Sequence, residues 1–160
     1  MHTTPSPLNE LDALPVRWEV DGTLGAPVDA VAELLLAVAE GRVGDDNLLL
    51  LARASAARQG AMTVVAGSGA GAYHAELAGP VEPLAVQVDR DRSRVAVQSW
   101  YAGVHAVTAC PAGTRVTHRV HRVLPGHPGF AAGIAEIGLR VRMARDLRQA
   151  LDVIADRLGC

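Results

Sequence analysis

Between Val16 and Leu24 apolar and polar residues alternate: Val16, Trp18, Val20 and Leu24 stand against Arg17, Glu19, Asp21 and Thr23. A period of two predicts a half-buried strand. Gly25, Ala26 and Pro27 break it, and proline suits the start of a helix because it has no N–H to leave unpaired. Val31, Leu34, Leu35 and Val38 then recur at helical spacing as far as Gly41, a glycine stop. Asp45 and Asp46 can cap a second short helix over Asn47–Gln59, closed by Gly60.

From Met62 to Leu124 the pattern is again that of strands separated by turn residues. It predicts Met62–Ala66, Tyr73–Leu77, Leu84–Asp89, Val95–Ala109 and Arg115–Leu124, with hairpin tips at Asp89–Arg92 and Pro111–Gly113. The fourth run is long for one strand, so Gly103 is expected to bend or bulge it. Beyond Gly129 the period lengthens. Phe130, Ile134, Ile137, Val141, Ala144, Leu147, Leu151, Ile154 and Leu158 fall along one stripe, with arginines and aspartates covering most of the rest. The first 14 residues show no period and are expected to form a flexible N-terminal arm, leaving 15–160 as one domain.

One strand, two short helices, a meander of strands and a long closing helix is an α+β order. A curved antiparallel sheet must cover its apolar face, and only the terminal helix is long enough to do so. A sheet wrapped around a helix can leave an apolar cavity between them, where small ligands bind.

That order resembles the START-like helix-grip superfamily (SRPBCC), which includes polyketide cyclases/dehydrases and lipid-transport proteins. The resemblance spans about residues 16–158. It rests on the opening strand followed by GAPVDAVAELL at 25–35, on SWYAGVHAVTACPAGTRVTHRV at 99–120, and on the closing amphipathic helix. It implies a helix-grip fold and a lipid, polyketide or aromatic ligand, with a polyketide-type cyclase or dehydratase as the enzymatic alternative and a protein–protein module as a third. These are signatures of fold; none is a catalytic motif.

Alternation within each strand nominates a cavity wall of Trp18, Met62, Tyr73 and Val86, joined by Ser99, Tyr101, His105 and His118 and by Phe130 and Ile134 of the helix. His118 is a titratable group on an apolar stripe with Val116 and Val120, and either a satisfied core histidine or a ligand contact fits it. His105 is in step with Val107, Tyr101, Ser99 and Val97, unless a bulge at Gly103 reverses the phase and turns Trp100 inward instead. His118, His105 and Tyr101 are the candidates for acid–base chemistry, which requires them within hydrogen-bond reach of one reacting atom. His118 and His121 do not suggest a metal pair, because i and i+3 on a strand point to opposite faces.

Composition trims the list. The chain has 160 residues, 49% apolar and 20% charged, enough for one ordinary core without staples. A net charge of −2 argues against nucleic acid or an anionic membrane as the main partner. No apolar run is long enough to span a bilayer, and the first residues lack the pattern of a secretory signal, so a cytoplasmic location is expected.

All 15 basic residues are arginine, which excludes Schiff-base and P-loop lysine mechanisms. Cys110 and Cys160 are expected as free thiols, and neither a metal nor another cofactor is expected. Gly67–Gly71 precedes a strand rather than a helix, so it is expected as a flexible loop between strands and not a phosphate cradle; the helix-grip resemblance implies that such a loop can rim the cavity entrance. The arginines from Arg140 to Arg148 are expected on the solvated side of the helix, with anion binding as the alternative. The expected partner is a small hydrophobic molecule; a homodimer stays open. Aromatic residues make up only 3% of the chain, which points to a small or collapsed cavity with few stacking surfaces. Burying 250 Å² of ligand at about 25 cal/mol per Å² would still contribute roughly 6 kcal/mol before ordering costs.

Overall fold

The structure, a computed structural model, describes residues 7–44, 47, 50, 62–78, 83–99, 101–123 and 130–160, with the side chains of 122, 123 and 130–136 left aside. The elements are α1 (Leu8–Asp12), β1 (Trp18–Leu24), α2 (Val28–Leu35), β2 (Gly41–Arg42), β3 (Met62–Ala66), β4 (Ala72–Leu77), β5 (Leu84–Asp89), β6 (Arg94–Gln98), β7 (Tyr101–Cys110), β8 (Gly113–Val123) and α3 (Phe130–Leu158). The eight strands form one antiparallel sheet in the order β1-β8-β7-β6-β5-β4-β3-β2. The second short helix expected over Asn47–Gln59 lies outside the described residues, apart from the buried Asn47 and Leu50.

The alternation that marked the strands is the alternation of burial. Along β1, Trp18, Val20, Gly22 and Leu24 turn inward while Glu19, Asp21 and Thr23 are exposed. α3 lies along the concave face and contributes Leu147, Ala150, Leu151 and Ile154 to a core shared with Met62, Val64, Val86, Val95, Val97, Val107 and Val116. The helix approaches β1 so closely at Gly22 that a Cβ there would overlap Leu151 Cδ1. Further along, Trp18 donates its indole N–H to Met143 Sδ at 3.4 Å, fixing the other end of the strand against α3.

Two expectations need correction. The long run over Val95–Ala109 is two strands, β6 and β7, with Ser99 at the turn between them, where its N–H donates to Tyr101 O at 2.8 Å. Ser99 therefore does not continue a strand, and Trp100 lies outside the described residues. The misreading has a physical source. Every residue from Val95 to Gln98 is buried, so both faces of the sheet are covered there and the polar half of the alternation is missing.

The second correction concerns the arm. From Leu8 the N-terminal segment is docked on the convex face: Leu8 and Leu11 are buried against Ala96, Ala102 and Val104. Leu8 N–H donates to Gln87 Oε1 at 3.1 Å, and Asp12 accepts two hydrogen bonds from Arg94 Nη1 at 2.7 and 2.6 Å. Arg94 also donates to Asp89 at 3.2 Å. The Asp12 hydrogen bond is the largest influence holding the Arg94 guanidinium charged; partial burial opposes it, and Asp89 adds to it.

Candidate functional site

The geometry of the concave face turns on a register shift between β7 and β8. Pairing runs Tyr101↔Val123 and Ala102↔Arg122, then Gly103↔Val120, so His121 is the extra residue. The bulge sits beside Gly103 as expected, but on the partner strand. β7 keeps its own alternation, and Tyr101, Gly103, His105 and Val107 all face α3, while Ala102 and Val104 face α1. His121 points the other way, its Nδ1 3.2 Å from Leu14 O on the convex side, so His118 and His121 do lie on opposite faces.

His105 and His118 are cross-strand partners in that ladder. Their rings stack at a centroid separation of 3.8 Å and an interplanar angle of 20°. Each residue is only 3% exposed. The pair divides two apolar groups: Val95, Val97, Val107 and Val116 on one side, and Tyr101, Val120, Leu139 and Met143 on the other.

His118 fits because position 103 is glycine, since a Cβ there would come within 2.5 Å of His118 Nε2. An aromatic stack of this kind presents two ring edges in register and can offer a donor beside an acceptor.

The other nominated residues divide between core and rim. Met62 and Val86 are packed members of the main core, and Trp18 is half-buried beside Met143. Tyr101 is 4% exposed and packs with Val120, Leu139 and Met143, on the same concave face as the histidines. Phe130 and Ile134 belong to α3, but their side chains lie outside the described residues.

Tyr73 lines a cleft of about 700 Å³ that the sequence did not reveal. Its apolar wall is Leu36, Val38, Tyr73 and Val88, its rim runs over Asp89–Arg92, and Ala70 and Gly71 border it. The glycine-containing loop borders this cleft, which extends to Leu8 and Asn9 of α1 and is not the space between sheet and α3 where the loop was expected to form a rim. Arg90 Nη2 donates to Leu36 O at 3.4 Å and ties the β5–β6 tip to the end of α2. Because this cleft is assembled from four separate chain segments, no local pattern could have announced it.

The sequence matches no protein-family model and no curated protein. Solved structures do match. TTHA0849 from Thermus thermophilus is 16% identical, with 88% of this chain and 94% of that chain covered and a TM-score of 0.53. The Zhui aromatase/cyclase from Streptomyces sp. R1128 is 16% identical over 88% and 93%, also at 0.53. Ara h 8.0201 is 12% identical over 87% and 97%, at 0.53. At these identities the likeness is one of fold. Together with the curved eight-stranded antiparallel sheet gripping a long C-terminal helix, it shows that the chain has the START-like helix-grip fold.

Proposed function

We propose that the protein binds a small hydrophobic molecule carrying a hydrogen-bonding group, held on the concave side between the sheet and α3. The observation that carries this reading is the stacked His105–His118 pair on an otherwise apolar wall. Apolar walls supply affinity, and a few placed polar groups supply orientation. The lipid, polyketide or aromatic class suggested by the sequence resemblance fits that division. Cys110 and Cys160 are free thiols, which suits the reducing setting of a cytoplasmic carrier.

Native mass spectrometry of the freshly purified chain, followed by solvent extraction, tests the proposal. A stoichiometric adduct of a few hundred daltons is expected. His118→Phe keeps a stacked ring and removes the polar edge, so it should keep the fold, with some loss of stability from the larger ring against Gly103, and lose the adduct. A clean apo mass, with no thermal shift across lipid and polyketide panels, would refute a carrier.

One observation also favours an enzyme. His105, His118 and Tyr101 share the concave face, and acid–base catalysis of a cyclase or dehydratase type needs such a set. On that reading His105→Phe and His118→Phe would abolish turnover of a polyketide-like substrate while leaving its binding intact.

A further inference from the structure

The outer surface of α3 carries a feature that a concave-side site does not use. Ile137 and Val141, expected on the buried apolar stripe of the helix, are instead 69% and 67% exposed, and Leu139 and Met143 take the inward positions. Four residues apart on a helix, Ile137 and Val141 lie side by side. Leu139, Met143 and Leu147 are buried on the side that meets the rest of the fold. Around the two aliphatic side chains Arg140, Arg142, Arg145 and Arg148 are exposed. The acid within this stretch, Asp146, has a side chain only 16% exposed and lies 4.0 Å from Arg142 and 3.4 Å from Arg145. Beyond it the charge reverses, with Asp152 and Asp156 exposed. From Ile137 to Arg148, then, the outside of α3 is basic and apolar, and its C-terminal part is not.

A partner for this face must answer several guanidinium groups and also accept two aliphatic side chains. We propose that it docks on an anionic lipid surface, with Ile137 and Val141 entering the headgroup–acyl boundary and the arginines engaging lipid phosphates. The arginine fork matches phosphate oxygens in a two-point contact, and its aliphatic stem can lie along apolar surface. A second copy of the chain fits poorly. A two-fold interface centred on Ile137 and Val141 would crowd Arg140, Arg142 and Arg145 of both copies together. The overall charge of −2 is no obstacle, because surface attraction acts within about one screening length, roughly 8 Å in physiological salt, where only the local charge counts. Contact is peripheral, since among the described residues no helix is long and apolar enough to cross a membrane. The proposal does not rest on the ligand reading above.

Sedimentation of the full chain with vesicles tests it. Vesicles of phosphatidylcholine and phosphatidylglycerol in equal parts should carry the protein down, phosphatidylcholine alone should not, and added salt should release it. The double variants Ile137→Glu/Val141→Glu and Arg140→Glu/Arg148→Glu should each lower the partition by about tenfold or more without moving the thermal midpoint, because all four side chains are exposed. A chain that stays in the supernatant with anionic vesicles, or variants that sediment like the parent, would overturn the proposal. A lipid-free dimer dissolved by Ile137→Glu/Val141→Glu would overturn it too, making the face a self-association surface.

Discussion

Gly103 and His118 sit on neighbouring strands as complementary shapes, a missing side chain beneath an imidazole. In an ordinary strand glycine is a weakness, and alanine in its place would stabilise. Here the methyl group would press on a ring already stacked on His105 and buried on every side, so relief requires a shift of packed atoms. Gly103→Ala is therefore expected to cost about 1–3 kcal/mol, measured by urea unfolding. In a His118→Ala background the same substitution should cost little, because the overlap is gone. Equal costs in the two backgrounds would show that His118 is not what the methyl meets. The inward phase of His118 was legible from Val116 and Val120 beside it. That of His105 was not, because a bulge on β7 would have reversed it, and nothing local distinguishes that from a bulge at His121 on β8. The stack itself joins residues on two strands, a pairing that alternation within either strand cannot supply.

At the level of elements, α1 shows where local pattern loses its authority. Five residues form no stable helix alone, and Pro7, Asn9 and Glu10 look like a leader. What holds the segment is tertiary: Leu11 is fully buried against small residues of β6 and β7. Leu11→Ala should cost about 2–4 kcal/mol in chemical unfolding, a core-sized loss from a segment whose sequence suggests none. Asp12→Ala should cost less than about 1 kcal/mol, because that carboxylate is 46% exposed and Arg94 keeps Asp89. If the ranking were reversed, the ion pair rather than burial would be the anchor.

The same docking explains the missed β6–β7 boundary. With a helix on each face, β6 reads as continuous apolar sequence, whereas β1, β3, β4 and β5, each with one wetter face, were placed within two residues of their observed ends. Hydrogen exchange should follow that layering. Amides of β6 and β7, paired on both sides and covered on both faces, should exchange slowest, and those of the two-residue edge strand β2 fastest. Uniform protection across the sheet would contradict this account.

For the whole molecule, the architecture was legible because one long amphipathic helix and one alternating sheet leave few ways to bury both apolar faces. The cleft beside Tyr73 was not, since its walls come from distant segments. The strand order has a further consequence for how the chain reaches this state. Among the described residues β1 pairs only with β8, and Trp18 meets Val120 roughly a hundred residues later. α1 likewise waits for β6 and β7 before Leu11 has anything to cover it. During synthesis the first strand thus emerges without a partner until most of the chain has been made, presenting an unpaired edge and bare apolar side chains throughout. Closure of the β1–β8 ladder is a late, long-range event that places refolding on the slow side for a domain of this size. The elongating chain, more than the finished one, is where this protein is open to capture by chaperones or to aggregation.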